Sequence, residues 1–254
     1  MATRGKAQEQ GATIIVERVK TETITVALLG MTPLIMNRMA EKARITLLAG
    51  GQRKTAAEKQ STIKHDPETE YRNTAYIWPD QPTVLAMPTT AIKGAMMTAA
   101  LDLPGTRKAQ IGRLVWVVGE YVPIWGIPRL YMSVVRSADM SHTPDIRTRS
   151  IIPEWATLVS VTFVSPMLNA TGIVNLLSAS GLTAGIGDFR PEKGKGTFGQ
   201  YIVVDPEDDR FSKIKTACTA ELQQAALDKP EPYDLETARL LDLYRAEMIR
   251  RGKA

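Results

Sequence analysis

The stretch MPTTAIKGAMMTAALDLPG, residues 87–105, predicts the clearest helix of the chain. Pro88 stands just before it, and the hydroxyl of Thr89 or Thr90 is expected to cap its first turn, because Thr side chains accept hydrogen bonds from the free amides there. The Pro-Gly pair at 104–105 ends it. Apolar residues at i, i+3, i+4, i+7 and i+11 form one face, which is expected to be buried: Ile92, Ala95, Met96, Ala99 and Leu103.

The segments around this helix are typical of strands. Apolar residues alternate with polar ones over 24–28 and 159–163, which is the period of a half-buried strand. Residues 114–118 and 121–125 flank Gly119-Glu120 and predict a β-hairpin. The remaining predicted elements are a strand at 130–135, a second helix that includes Ile173 and ends near Gly181 or Gly185, and a strand at 201–204.

The order strand, helix, strands, strand, helix, strand predicts an α+β fold with a ferredoxin-like (RRM-like) βαββαβ core. Two helices would cover one face of an antiparallel sheet, and the other face would be covered or free for a ligand. Two amphipathic helices are expected in the tail, at 211–227 and 234–251. The sequence predicts three segments: a flexible arm at 1–12, a core at 13–205 and a helical tail at 206–254. Two insertions are expected in the core, a lid at 36–76 and a hairpin or thumb at 104–157. The lid is predicted to begin with a short helix near 37–48 and to continue as a mobile basic loop.

Length and composition exclude several classes of protein. The 254 residues are 44% hydrophobic and 23% charged, as in a globular chain, and no apolar run is long enough to span a membrane. The net charge of +5 permits a polyanionic partner. The single cysteine, Cys218, excludes a disulfide framework and a CxxC metal site, and favours a reducing cytoplasm. Because His65 and His142 are the only histidines, we predict no histidine-rich metal site and no cofactor.

The stretch GIGDFRPEKGKGTFG, residues 185–199, is the least ordinary part of the sequence, and we call it the glycine-rich loop. Its glycines allow a partner to approach the main chain, and amides in such loops form concave nests for anions. Its cations would add attraction, and an aromatic ring there would stack on a base. The letters GxGxxG occur at 194–199, but the loop follows a helix, so a dinucleotide site is rejected. A flexible turn is the alternative. The residues predicted to bind are Gly185, Gly187, Phe189, Arg190, Lys193 and Lys195.

Two of these stretches together resemble a known family. Residues 87–96, MPTTAIKGAM, look like the P-x-S/T-x-[IL]-K-G-x-[LM]-R helix opening of the RAMP superfamily, the RNA-binding proteins of CRISPR effector complexes. Residues 185–199 resemble the glycine-rich loop of that superfamily, and the resemblance covers roughly residues 22–205. Met97 stands where the family often has Arg, the loop is longer than usual, and the two-helix tail has no counterpart. A relative encoded by a phage or mobile element is therefore an alternative.

The resemblance implies a non-catalytic role like that of the backbone subunits of the superfamily. Those subunits assemble head to tail along single-stranded RNA, with a β-hairpin thumb that kinks the strand. By this resemblance Arg136–Ser150 would be the thumb, with Arg136, Arg147 and Arg149 on it, and Lys93 at the helix opening would face the nucleic acid. The implied partners are single-stranded RNA or DNA and further copies of the chain.

Two other functions stay open. Another branch of the superfamily cleaves RNA without a metal by general acid–base catalysis, and the candidate groups here are His65, His142 and Asp145, each of which is otherwise a solvated side chain. A structural or assembly protein that binds no nucleic acid is the third possibility, because the amphipathic tail would dock on a neighbour. Packing of the tail on its own domain is the alternative.

Overall fold

A computed structural model describes residues 18–39, 44–45, 47–48, 65–78, 82–136, 144–193 and 195–252. The fold of this part is α+β with antiparallel sheets. The strands are β1 (Lys20–Gly30), β2 (Leu34–Met36), β3 (Ala86–Pro88), β4 (Val115–Val117), β5 (Tyr121–Pro123), β6 (Arg129–Arg136), β7 (Pro144–Ile152), β8 (Ala156–Ser165) and β9 (Tyr201–Val204). The helices are α1 (Pro67–Thr74), α2 (Thr89–Ala99), α3 (Lys108–Leu114), α4 (Ala170–Thr183), α5 (Asp209–Ala217), α6 (Ala220–Asp228) and α7 (Leu235–Arg250).

The largest sheet has the order β4-β8-β1-β9, and each neighbouring pair is antiparallel. Along the chain, α2 lies between β1 and β4, and α4 lies between β8 and β9. These two helices pack on each other and share a core with the sheet. As predicted, the face of α2 that carries Ile92 and Met96 is buried in that core.

The two long central strands show why the alternating sequence pattern gives a half-buried sheet. On the face away from α2 and α4, Thr23 Oγ1 lies 2.8 Å from Thr162 Oγ1, and Thr25 Oγ1 lies 2.8 Å from Ser160 Oγ. Successive side chains of a strand point to opposite faces, so the apolar positions between them reach the helices. The fully buried ones are Leu28, Val159, Val161 and Phe163.

A second sheet, β2-β7-β6, places a long antiparallel hairpin beside the first. Helices α1 and α7 pack against it. Leu130 and Met132 of β6 are buried together with Thr148 and Ser150 of β7. The segment Arg136–Ser150, expected as the thumb, therefore contributes these two hydroxyl residues to the buried side of the sheet. Strand alternation points them inward, where their hydroxyl oxygens have no hydrogen-bond partner in the described part of the chain.

The hairpin predicted around Gly119-Glu120 does not form. Strand β4 pairs with β8, whereas β5 pairs with β3. The Thr89 amide donates to the carbonyl oxygen of Glu120 (2.9 Å), and the Thr89 hydroxyl donates to that of Gly119 (2.9 Å). The connection is thereby held on the start of α2. The predicted hydroxyl cap of α2 is wrong, because the Thr89 hydroxyl donates to this connection. Pro88 is the N-cap residue, and no side chain accepts a hydrogen bond from the first turn.

The C-terminal part of the predicted lid packs in the core. Within 36–76 the structure describes residues 36–39, the helical residues 44–45 and 47–48, and the segment from His65 onward, which contains α1. Tyr71 of α1 is fully buried, and its hydroxyl donates to the carbonyl oxygen of Ala226 in α6 (3.1 Å). This part of the predicted mobile basic loop is thus a buried helix. The predicted arm at 1–12 lies outside the described residues.

The tail helices pack on the domain. The helix expected at 211–227 is two helices, α5 and α6, because Thr219 Oγ1 accepts the Leu222 amide (3.3 Å) and starts a new one. The helix expected at 234–251 is α7. Phe211 of α5 and Leu241 of α7 are buried. Among the helices of the described residues, none has the length and apolar character needed to cross a membrane.

Candidate nucleic-acid interface

The glycine-rich loop connects α4 to β9 and packs on β2, at the edge of the second sheet. The Asp188 amide donates to the carbonyl oxygen of Ile35 (2.9 Å), and the Gly199 amide donates to that of Pro33 (2.9 Å). Ile186 is only 1% exposed and belongs to the main core. These residues of the loop are therefore tied to the fold, which favours a packed loop over the alternative of a flexible turn.

Hydrogen bonds within the loop use amides that were expected to bind an anion. The Ile186 amide donates to the carbonyl oxygen of Gly199 (2.9 Å), and the Phe198 amide donates to that of Phe189 (3.3 Å). The Asp188 amide is already bonded to Ile35 of β2, and the Gly199 amide to Pro33 just before β2. For these four amides the predicted anion nest is wrong, because folding consumes their donors.

The two glycines predicted to bind a ligand have a structural role. Gly187 has φ +83°, and a Cβ atom added there would lie 2.5 Å from the carbonyl oxygen of Ile35. Gly185 also has a left-handed backbone, with φ +67°. Such a conformation strains any residue with a Cβ atom. Glycine at these positions lets the loop turn and approach β2.

Arg149 is one of two site arginines that already have an acidic partner. Its Nε lies 2.9 Å from Asp188 Oδ2, and the Asn37 amide group donates to the same oxygen (3.1 Å). Only 12% of the Arg149 side chain is exposed. The pair joins β7 to the glycine-rich loop.

Arg190 is the second paired arginine. Its Nε donates to Glu192 Oε2 (2.8 Å), and its Nη1 donates to the carbonyl oxygen of Gly187 (2.7 Å). The Thr98 hydroxyl donates to the other oxygen of Glu192 (3.1 Å). Burial raises the pKa of the Glu192 carboxyl, but Arg190, Thr98 and Lys193 lower it by more, so the net pKa lies below the ordinary value.

The loop lysines differ from the arginines. Lys193 and Lys195 are both exposed. In the described part of the chain, no carboxylate forms an ion pair with either one at 4.0 Å or less. Both lysines are therefore accessible to a phosphate, although Lys193 also lies close enough to Glu192 to lower the pKa of that carboxyl.

The hairpin β6–β7 has an open face beside the loop. Tyr131 is in register with Arg149, and Ser133 is in register with Arg147. Alternation places these four on the face opposite Leu130, and we call them the hairpin face. Arg147 is exposed. Arg136 is exposed at the end of β6, but its position in the alternation assigns it to the other face, so the structure does not group it with Arg147 and Arg149.

Four aromatic rings form a continuous series from the loop to the tail, which we call the aromatic run. The centroid distances are 6.3 Å from Phe189 to Phe198, 6.4 Å from Phe198 to Tyr131, and 5.8 Å from Tyr131 to Tyr233. Sequence reasoning identified only Phe189. Strand alternation could have placed Tyr131 on the face of Arg149, but the contacts between the loop, β6 and the tail are long-range and leave no local signal.

A cleft of about 540 Å³ separates the glycine-rich loop from α2. A Cβ atom added to Gly94 would meet nothing within 4 Å, so this helical glycine faces open space. Lys93, predicted to face nucleic acid, is half-buried and is not one of the lining residues. The cleft is lined from α2 by Thr90, Ala91, Gly94, Ala95, Met97 and Thr98, and from the loop by Ile186, Gly187, Asp188, Arg190 and Glu192.

The fold is distantly similar to that of Cmr6. The crystal structure of Cmr6 from Pyrococcus furiosus gives a TM-score of 0.38 at 10% identity, over 73% of this chain and 99% of that chain. A chain of the Type III-B Cmr-beta bound to cognate target RNA, solved by cryo-EM, gives a TM-score of 0.35 at 10% identity, over 73% of this chain and 60% of that chain. Neither a protein-family model nor a curated protein matches the sequence.

Two of the candidate catalytic groups, His65 and Asp145, meet at the end of the hairpin where β7 begins. His65 Nε2 is 2.9 Å from Asp145 Oδ1, and His65 Nδ1 is 2.9 Å from Glu70 Oε1. His142 lies outside the described residues. Across the described ranges, no three His, Cys, Asp or Glu side chains form a group that could hold a metal ion.

Proposed function

We propose that the chain is a non-catalytic protein that binds single-stranded nucleic acid on the surface formed by the glycine-rich loop and the hairpin face. The strand would be RNA or DNA, and several copies would assemble head to tail along it. We further propose that the chain is a RAMP-like protein with a ferredoxin-like core, as its two sequence motifs suggest.

The observation that carries the binding proposal is the juxtaposition of cations and aromatic rings. The Arg149–Asp188 pair holds the hairpin face against the glycine-rich loop. Arg147, Lys193 and Lys195 are exposed on these two elements, and the aromatic run lies between them. Cations that track the phosphates, together with rings that contact the bases, are the usual means of binding a single strand without sequence preference.

The cleft beside α2 gives independent support. Glycine inside a helix costs about 1 kcal/mol relative to alanine, and at Gly94 no neighbouring atom requires it. The cost is explained if a partner approaches the helix closely at that point. The two motifs that suggested the RAMP resemblance form the opposite walls of this cleft.

The strand order supports the ferredoxin-like core. The elements β1, α2, β4, β8, α4 and β9 follow the βαββαβ order, and in the sheet the first strand lies between the third and the fourth. Among the described residues of the glycine-rich loop and the hairpin face, the exposed cations without a carboxylate partner are Arg147, Lys193 and Lys195, so we expect a single copy to bind weakly. Assembly along the strand would supply avidity.

The geometry of His65 favours a non-catalytic role over the ribonuclease alternative. Both ring nitrogens of His65 contact carboxylates, Glu70 on one side and Asp145 on the other. A general acid or base needs a ring nitrogen within hydrogen-bond reach of the substrate. Incubation of labelled RNA with the protein, with and without magnesium, should leave the RNA intact, and cleavage would overturn this part of the proposal.

The binding proposal is tested by reversing the two loop charges. The double variant Lys193→Glu, Lys195→Glu is expected to weaken binding of a labelled oligonucleotide at low salt by about tenfold or more, without lowering the melting temperature, because both side chains are exposed. The matched control, Lys20→Glu with Lys213→Glu, reverses two exposed lysines on β1 and α5. Equal affinity of the loop variant and the control would remove the loop from the interface.

A further inference from the structure

Phe189 has a strained backbone conformation in the glycine-rich loop. Its φ is +55°, a left-handed value that is unfavourable for a residue with a large side chain. Its side chain is 52% exposed, so the chain recovers only part of the apolar burial that a phenylalanine can provide. Strained conformations of this kind persist where the surrounding structure fixes them, and they cluster at functional sites. The strain here presents an aromatic ring to solvent.

The ring of Phe189 begins a path across the hairpin face. The next rings, Phe198 and Tyr131, follow at centroid distances of 6.3 and 6.4 Å. These distances are within the range of interacting aromatic side chains. All three residues are at least partly exposed. A row of rings on an open sheet face offers apolar surface of the size of successive bases.

Charged side chains of opposite sign lie at the two ends of this path. Arg147 is diagonal to Tyr131 across β6 and β7, whereas Asp234 and Glu236 of the tail lie at the other end. Burial raises the pKa of the Tyr131 hydroxyl, a hydrogen bond with Ser133 lowers it, and the two tail carboxylates raise it further. A phosphate is therefore attracted at the Arg147 side and repelled at the tail side, which leaves the rings for uncharged groups.

We propose that Phe189, Phe198 and Tyr131 form a stacking platform for unpaired bases. The inference rests on the proposed function and deepens it: the ligand is a strand whose bases are free, and base contact adds to the grip on the phosphates. Duplexes and polyphosphates lack free base faces and would use only the cationic part of the surface.

The test compares two labelled strands of about 12 nucleotides that carry the same number of phosphates, one an oligothymidylate and the other an abasic strand. The full-length protein is titrated with each in a fluorescence anisotropy assay at one salt concentration. The oligothymidylate is expected to bind at least about fivefold more tightly, because each stacked base adds about 1 kcal/mol or more. Equal binding of both strands would overturn the platform while the proposed function stands. Binding of neither strand would contradict the proposed function itself.

Variants of single aromatic residues test which rings cause the preference for oligothymidylate. Phe189→Gly removes the ring and relieves the left-handed strain, so it is expected to fold while it loses the preference for oligothymidylate and keeps its affinity for the abasic strand. Phe198→Leu keeps apolar volume and should lower the same preference. The control Trp116→Leu removes a ring that is 39% exposed on β4, outside the aromatic run, and should leave the preference unchanged. An unchanged preference in both phenylalanine variants would overturn the assignment.

Discussion

A single buried amide side chain fastens the tail to the core. The Gln223 side-chain oxygen accepts the amides of Val84 (2.9 Å) and Leu85 (3.0 Å). Its side-chain nitrogen donates to the carbonyl oxygens of Ile124 (2.8 Å) and Gly126 (2.9 Å). Gln223 is fully buried, and its amide makes four hydrogen bonds to main-chain groups. Helix α6 is therefore part of the folded domain.

We expect Gln223→Ala to lower the free energy of unfolding by about 2–4 kcal/mol, because the truncation leaves buried main-chain groups without partners. The measurement is urea denaturation followed by circular dichroism. Gln224→Ala is the control on the same helix: its partner Asp228 is on the exposed surface, and a change within about 0.5 kcal/mol is expected. A similar small loss for both variants would contradict the role of Gln223.

Glu192 forms an ion pair with Arg190 and so reduces the charge that Arg190 can offer to a phosphate. Its carboxylate accepts from Arg190, with Nη2 of Arg190 at 2.6 Å from Oε2. Glu192→Gln removes this competing charge, so the affinity for a single strand should rise by about two- to fivefold, the range of one partly exposed ion pair. The control Glu221→Gln removes an exposed charge on α6 and should leave the affinity unchanged. Weaker binding of Glu192→Gln would show instead that the carboxylate positions Arg190 for the ligand.

The same pair has a defined pH dependence. The pKa of Glu192 is lower in the folded chain than its ordinary value, so the pair stabilises the fold above the unfolded pKa of about 4.3 and loses this effect as the pH falls through the lower folded value. Wild type should melt at a higher temperature than Glu192→Gln at neutral pH, and this difference should disappear in acid.

At the scale of the elements, one glycine within α2 and one after its end distinguish an effect on stability from an effect on binding. Gly94, in the interior of α2, and Gly105, after its end, both face open space, but only Gly105 has a left-handed backbone, with φ +77°. Gly94→Ala should therefore stabilise the protein by about 0.5–1 kcal/mol, and Gly105→Ala should destabilise it by a similar amount. Thermal unfolding measures both. If a strand enters the cleft, Gly94→Ala should also weaken binding despite the gain in stability, and Gly105→Ala should not.

The elements that the sequence predicted well are those with a local pattern. Helix α2 has apolar residues at helical spacing, β8 alternates over 159–163, and β9 has the bounds expected for 201–204. The hairpin around Gly119 failed because β4 and β5 find partners far away in sequence. Helix α1 was missed because its basic surroundings resemble a loop, while its buried contact, Tyr71 with α6, is long-range.

For the candidate site, the sequence named the cations but could not show which of them pair with acids. The loop composition identified Arg190 and Lys193, and spacing put Arg147 and Arg149 on one side of a strand. Which cations are free depends on acids that reach them only in the fold: Asp188 binds Arg149, and Glu192 binds Arg190. The loop amides were misjudged for the same reason, since their acceptors are carbonyl oxygens elsewhere in the loop and at Pro33 and Ile35, which only the fold brings close.

At the scale of the whole molecule, affinity should depend on strand length and salt in a way that reports assembly. Among the described residues of the proposed surface, three exposed cations, Arg147, Lys193 and Lys195, are available to phosphates. Each phosphate contact on a single strand contributes a slope of about −0.7 in log K against log salt, so one copy should give about −2. On strands long enough for several copies, head-to-tail contacts should add avidity, and analytical ultracentrifugation should show complexes that gain copies as the strand lengthens. Complexes that keep a single copy on strands of every length would contradict the assembly and leave the binding surface intact, because the salt slope depends only on contacts within one copy.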